Sequence, residues 1–200
     1  MIKAVLFDVG NVIINWSREN LYDKLILDPV RRAYFLDTVA PMEWHMKHDA
    51  GVTFAENRQD RLIAHPDFHD EIMAFDARFE EMLGDLIPET IAVIEELHAK
   101  GVNMYGLTNM PQEKAALVFS KSPVFGWFKD IIISGDEKIS KPEPAIFDLT
   151  VRRLGVAPGE IFFTDDSPAN IAGAKTAGFV THMFDTPETL RPALVAAGVL

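Results

Sequence analysis

The chain opens with MIKAVLFDVGNVI (residues 1–13), and that stretch sets the expected architecture. Ala4 to Phe7 form a short apolar run that fits a strand buried on both faces, and Asp8 stops it. Four further runs have the same character: Val102 to Leu107, Asp130 to Ser134, Glu160 to Thr164 and Val180 to Phe184, each bounded by Gly, Asp, Asn or Pro. Helical spacing fills the intervals. It covers Pro88 to Lys100, with proline in the first turn and Gly101 past the end, then Gln112 to Ser120, Pro144 to Leu154, Ala169 to Thr176 and Glu188 to Ala197. Strand followed by helix, repeated, predicts an α/β fold whose five parallel strands carry helices on both faces.

One interval breaks the alternation. From Trp16 to Leu86 no strand pattern stands out, and Ile72, Phe75, Phe79, Met82 and Leu83 keep the spacing of one helical face. Arg32, Arg58 and Arg61 alternate there with Tyr34, Phe35, Leu36, Leu62 and Ile63. The reading is a core made of residues 1–15 and 87–200, with an all-helical insertion over 16–86 after the first strand.

Composition narrows the function classes. Two hundred residues with 48% hydrophobic side chains suffice for one compact core with a small insertion. A formal charge of −11 offers no basic stripe for a phosphodiester backbone, so nucleic acid is not an expected partner. The apolar stretch before Asp8 is far shorter than a signal-peptide core or a membrane span, and cysteine is absent. A soluble protein of the reducing cytoplasm is expected, without thiolate chemistry or disulfides. Nothing in the sequence speaks to oligomeric state.

In an open α/β sheet, ligands collect beyond the carboxyl ends of the strands, so the residues closing each run carry the chemistry. They are Asp8 in FDVGNVI, Thr108 and Asn109 in GLTNM, Lys141 in SKPEPAIF ahead of a helix, and Asp165 and Asp166 in FFTDDSPANI. Each has a plainer explanation. Asp166 or Ser167 would cap a helix beginning at Pro168, Thr108 or Asn109 would do the same before Pro111, and a lysine before proline is commonly solvated. Together, however, three carboxylates, a lysine and a hydroxyl at one sheet edge are costly unless a cation and an anionic ligand neutralise them. Magnesium answers that need, with Asp8 and Asp166 as natural ligands. A carboxylate screened in this way can attack a phosphoryl group, while Thr108 and Lys141 hold its non-bridging oxygens.

These four patches, in this order and spanning nearly the whole chain, resemble the motifs of the haloacid dehalogenase superfamily. The resemblance implies a Rossmann-like core with a small cap between the first and second motifs, and hydrolase activity. Carried over residue by residue, it makes Asp8 nucleophile and metal ligand, Thr108 and Lys141 phosphate binders, Asp166 a direct magnesium ligand and Asp165 its supporting acid. One departure matters: family phosphatases usually carry a second aspartate two places after the nucleophile, and here that place is Gly10. Its carbonyl can still reach the metal, but the usual proton shuttle is missing. His45 and His48 in EWHMKHDAG are the candidate substitutes and substrate contacts, although their spacing equally suits two exposed histidines. The GN after Asp8-Val9 resembles bacterial sugar-phosphate phosphatases within the superfamily, implying a small phosphorylated metabolite as substrate.

Rival readings remain at this level. A true 2-haloacid dehalogenase needs no second acid, but such enzymes replace the acidic pair of the fourth motif, which persists here as Asp165 and Asp166. A ligand-binding protein on a retired phosphatase scaffold would also tolerate Gly10, and a mutase would not. Phe125, Trp127 and Phe128 read as an apolar turn packing onto the sheet. Asn170, one helical turn past Asp166, either braces the acidic pair or merely opens a helix.

Overall fold

The computed structural model describes residues 1–200. Seven strands form: β1 (Ala4–Phe7), β2 (Ile14–Trp16), β3 (Leu83–Leu86), β4 (Met104–Thr108), β5 (Asp130–Ile133), β6 (Ile161–Asp165) and β7 (Val180–Met183). Five of them make one parallel sheet in the order β5-β4-β1-β6-β7. β1 is central and wholly buried, as its unbroken apolar run requires. Its side chains alternate between two cores. Val5 and Phe7 join one that continues into the insertion, and Ala4 and Leu6 join the other with Phe147 and Phe163.

Helices α7 (Pro88–Ala99), α8 (Ala115–Phe119), α9 (Ser134–Glu137), α10 (Pro144–Leu154), α11 (Pro168–Thr176) and α12 (Pro187–Ala196) complete the α/β layers. No helix is long and apolar enough to cross a membrane. Two strands start later than the sequence predicts. Val102 donates its backbone N–H to Leu97 O and so finishes α7 around Gly101, whose φ of 69° is left-handed. Glu160 likewise closes a turn by donating to Ala157 O before β6 begins. Phe125 and Phe128 are buried beneath β1, the Phe7 and Phe128 rings lying 5.8 Å apart, and Trp127 stacks on His98, so this aromatic turn is core packing.

The interval after β1 is mostly helical: α1 (Glu19–Leu25), α2 (Pro29–Tyr34), a π-turn over Phe35–Val39, α3 (Met42–Asp49), α4 (Phe54–Asn57), α5 (Gln59–Ala64) and α6 (His69–Ala77). It is not all helical. β2 and β3 pair antiparallel, Ile14 opposite Leu86 and Trp16 opposite Leu83. The helical face predicted through Leu83 therefore stops at Met82, where Leu83 turns into a strand. The LGDL of β3 alternates neither in polarity nor in burial, and the pairing is irregular, which leaves no period-two signal to read. Tyr22, Phe35, Trp44, Phe54 and Phe75 fill the inside of this layer and belong to the same core as Phe7. Its α3 ends at Gly51, where a Cβ would lie 2.8 Å from Gly135 O, so glycine lets α3 dock closely against α9.

Candidate active site

β1, β4 and β6 are neighbours in parallel register, so the residues closing them meet at one sheet edge. Oxygens of Asp8, Asp165 and Asp166 lie within 4.8 Å of one another. Lys141 enters this group from the loop before α10. Its ammonium stands 2.9 Å from Asp8 Oδ1 and 2.7 Å from Asp165 Oδ2, and it also donates to Leu107 O at 2.8 Å. At 2% exposure Lys141 is no solvated surface lysine.

Each side chain has a distinct state. Asp8 Oδ1 takes the Val9 N–H at 2.7 Å in addition to Lys141, which leaves Oδ2 without a donor from the chain. Asp165 is saturated: Oδ1 accepts from Ser167 N and Asn170 Nδ2, and Oδ2 from Lys141 and Asn170. Asn170 thus braces Asp165, the buried member of the acidic pair. Ser167 takes the N-cap of α11 without a side-chain cap bond. Asp166 is half-buried and opens onto the cavity. Burial raises the Asp8 carboxyl to about 7; Lys141 opposes this and Asp165 reinforces it. Burial and Asp165 also raise Asp166, with Lys141 and the Asn11 side chain pulling the other way. Lys141 is itself raised, its carboxylate neighbours outweighing the burial that lowers it.

Two of the candidate site residues, Lys141 and Asn109, are engaged with each other within the chain. The Lys141 ammonium donates to Leu107 O and Asp165 Oδ2 and pairs with Asp8 Oδ1, so its charge is held among groups of the chain. Lys141 thus pairs with both Asp8 and Asp165 and brings a positive charge to the site. Asn109 spends its side chain on Lys141, donating to its carbonyl and accepting its N–H, both at 2.9 Å. Asn109 is thus a two-point clamp on Lys141. The free donors at this edge are the Thr108 hydroxyl and the backbone N–H groups of Gly10 and Asn109, none of which has an acceptor in the chain. A sequence pattern of side chains could not reveal backbone donors.

An oxygen-only donor set suits magnesium, whose ligands on opposite sides of the ion stand about 4 Å apart. Three carboxylates against one ammonium leave two negative charges, which one divalent ion offsets. The Gly10 carbonyl accepts no hydrogen bond and borders the same cavity, so the residues present fit such an ion. Asn11 beside it has a left-handed φ of 54°, a conformation that asparagine tolerates well, and its Oδ1 accepts the Trp16 N–H.

The cavity above this edge has a volume of about 260 Å³ and is roofed by the insertion. Ile14, Trp16, Met42, Met46, Phe79 and Leu83 form its outer wall, and α3 adds two titratable groups, His45 and Asp49. His45 stacks on Trp16, and its Nε2 lies 3.5 Å from Asp49 Oδ2. Burial, assisted by His48 and Arg18, lowers the His45 imidazole to about 3. Burial raises the Asp49 carboxyl to about 7 against the pull of Lys141. The two histidines are therefore buried, contrary to the exposed alternative. His48 is not at the cavity. Its Nδ1 bonds Val52 O, its Nε2 meets the Asn57 amide, and its ring stacks on Phe54, so three-residue spacing has turned it into the insertion's core. Asp49 escaped the sequence reading, although it follows His45 by four residues, the spacing that places two side chains on one helical face.

Comparison with known proteins places the chain in a family. The sequence profile of the haloacid dehalogenase-like hydrolases matches residues 2–178, and the chain belongs to that family of hydrolases. A sesquiterpene phosphatase of Aspergillus oryzae is 24% identical over 190 residues, covering 94% of this chain and 92% of the relative. A phosphoglycolate phosphatase of Escherichia coli is 31% identical over 93 residues, 46% of this chain but only 37% of that enzyme. Among solved structures, a family enzyme of Bacteroides thetaiotaomicron in complex with magnesium and inorganic phosphate superposes with a TM-score of 0.70 at 25% identity, over 92% of this chain and 94% of the other. An L-2-haloacid dehalogenase of Xanthobacter autotrophicus shares the fold at 18% identity, with a TM-score of 0.65, over 100% of this chain and 85% of that one.

Proposed function

We propose that this hydrolase is a magnesium-dependent phosphatase acting on a small phosphorylated metabolite through an aspartyl-phosphate on Asp8. The observation that carries the reading is the Asp8 carboxylate, with one oxygen fixed and the other free, facing a cavity shared with Asp166 and the Thr108 hydroxyl. The magnesium and phosphate held by the Bacteroides enzyme, and the phosphatase names of the relatives, support it. In this reading residues 1–15 and 87–200 form the catalytic core, and 16–86 the cap.

The roles follow from chemistry. Asp8, Asp166 and the Gly10 carbonyl would hold magnesium, with Asp165 keeping Lys141 in place. The bound ion supplies positive charge that lets a carboxylate approach a phosphoryl group. Asp8 Oδ2 attacks phosphorus, and the Thr108 hydroxyl with the N–H groups of Gly10 and Asn109 steadies the non-bridging oxygens. The outer wall then receives the leaving group beside His45. Sugar hydroxyls would lack partners against Ile14, Trp16, Met42, Met46, Phe79 and Leu83, whereas an apolar alcohol would not. That wall moves the expected substrate from a phosphorylated sugar toward the monoester of an apolar alcohol, in line with the Aspergillus relative.

The test is one panel: phosphomonoesters of apolar alcohols, sugar phosphates and 2-haloacids, each with magnesium and with chelator. Phosphate release that requires magnesium, with higher kcat/KM for the apolar esters, is the expected result. Halide release that survives chelation would replace this reading with dehalogenation, and phosphate binding without turnover would leave a binding protein.

A further inference from the structure

Phosphoryl transfer expels the leaving oxygen on the side opposite the nucleophile. Asp8 attacks from the sheet edge, so that oxygen points toward the insertion. Five titratable side chains border the cavity: Asp8, Lys141 and Asp166 from the sheet edge, His45 and Asp49 from α3. The acid normally expected two places after the nucleophile is Gly10, which has no side chain to offer.

We propose that Asp49 is the general acid and base of this active site, reaching the leaving oxygen from the insertion in place of the acid missing at position 10. The proposal rests on the phosphatase reading and deepens it. Its position is fixed by two hydroxyls of the core: the Asp49 carbonyl accepts from Ser134 Oγ at 2.6 Å and Ser140 Oγ at 3.3 Å. Ser140 directly precedes Lys141, so the main chain of Asp49 is tied to the segment that holds Asp8. The carboxyl itself is incomplete. Its Oδ1 is buried without any hydrogen-bond partner, an arrangement costly to keep unless a ligand group completes it. The His45 ring flanks Oδ2, and the charges of Lys141, Asp8 and Asp166 face the carboxyl across the cavity. A carboxyl held near neutrality is suited to both giving and taking a proton at physiological pH.

The steps balance. Protonated Asp49 gives its hydrogen to the leaving oxygen as the bond from phosphorus to that oxygen breaks and the bond to Asp8 forms. The resulting Asp49 carboxylate then takes a proton from the water that attacks the aspartyl-phosphate. Inorganic phosphate leaves, Asp8 is a free carboxylate again, and Asp49 is reprotonated.

The experiment compares wild type with Asp49→Asn, with magnesium, on p-nitrophenyl phosphate and on the phosphate of a simple primary alcohol. A nitrophenolate departs without a proton, and an alkoxide does not. The expected kcat/KM, which reports the first chemical step, falls roughly 10²–10⁴-fold for the alkyl ester and under about tenfold for the nitrophenyl ester. In the same variant kcat for the nitrophenyl ester falls as well, with a burst of nitrophenolate approaching one per enzyme, because aspartyl-phosphate hydrolysis has become slow. Equal losses on both esters, or none, would overturn the assignment. If Asp49→Asn fails to fold, Asp49→Ser is read in the same way. A wild type inactive on every phosphomonoester would instead remove the phosphatase reading, and Asp49's role with it.

Discussion

The two walls of the cavity treat their polar groups in opposite ways. On the sheet side Asp165 and Lys141 spend their bonding capacity on each other, on Asn170 and on the backbone. On the insertion side His45 Nδ1 and Asp49 Oδ1 are buried with no partner. A satisfied network holds a charge distribution rigidly, which is what a nucleophile and a metal need. An unsatisfied pair costs stability in the free protein and is completed by what binds. In the proposed phosphatase the sheet edge thus prepares the reaction, and the insertion is completed by the substrate.

Several measurements would break or sharpen that contrast. The largest effect belongs to Asp8→Asn, expected to lower phosphatase turnover roughly 10⁴-fold or more while leaving the circular dichroism spectrum unchanged. Near-native turnover would remove Asp8 from the mechanism. Lys141→Ala strands two buried carboxylates, and should cost about 3 kcal/mol or more in urea unfolding as well as activity. A fully stable variant would show that the sheet side is not the tight network described. Asp166→Ala should raise the magnesium concentration needed for half-maximal turnover, read by metal titration, because this carboxylate opens onto the cavity.

Smaller effects address the insertion. His48→Ala should lose about 2 kcal/mol of stability through its two hydrogen bonds and its stacking, yet keep the wild-type pH–rate profile. A changed profile would return His48 to the active site. Asp49→Asn should alter Tm in a pH-dependent way, measured in chelator. Burial holds the native carboxyl up at about 7, whereas in the unfolded chain it titrates as an ordinary aspartate, near 3.8. Between those values the unfolded chain sheds a proton that the native state keeps, so stability falls as pH rises, and the full cost is present above the native value. Removing the charge should therefore raise Tm by a few degrees more at pH 8 than at pH 4.5. A pH-independent difference would mean that Asp49 is not held near neutrality.

What the sequence discloses follows the range of the interactions involved. Asp8, Thr108, Asp165 and Asp166 end strands that are neighbours in the sheet, so their meeting follows from strand order, and the apolar runs reveal the strands. The hydrogen-bond inventory is not local. That Lys141 would be held by Leu107, Asp165 and Asp8, and that Asn109 would clamp it, depends on partners 24 to 133 residues away. Asp49 was hidden for another reason: a charged residue at the end of a weakly amphipathic helix looks solvated, and only the docking of α3 on α9 buries it. β3 escaped because LGDL carries no alternation.

The pairing of β2 with β3 has a wider consequence. Ile14 faces Leu86 and Trp16 faces Leu83, so the chain departs from the sheet and returns to it along a single two-stranded stalk. A module mounted this way enters and leaves the sheet at one point, so its length does not set the order of the five parallel strands, although its interior is continuous with the core around Phe7. In this molecule the boundary is also crossed away from the stalk, by the apolar core that Phe7 shares with Tyr22 and Phe35, by Lys114 paired with Asp76, and by the carbonyl of Asp49 bonded to Ser134 and Ser140. A transplanted roof would have to bring matching contacts of its own.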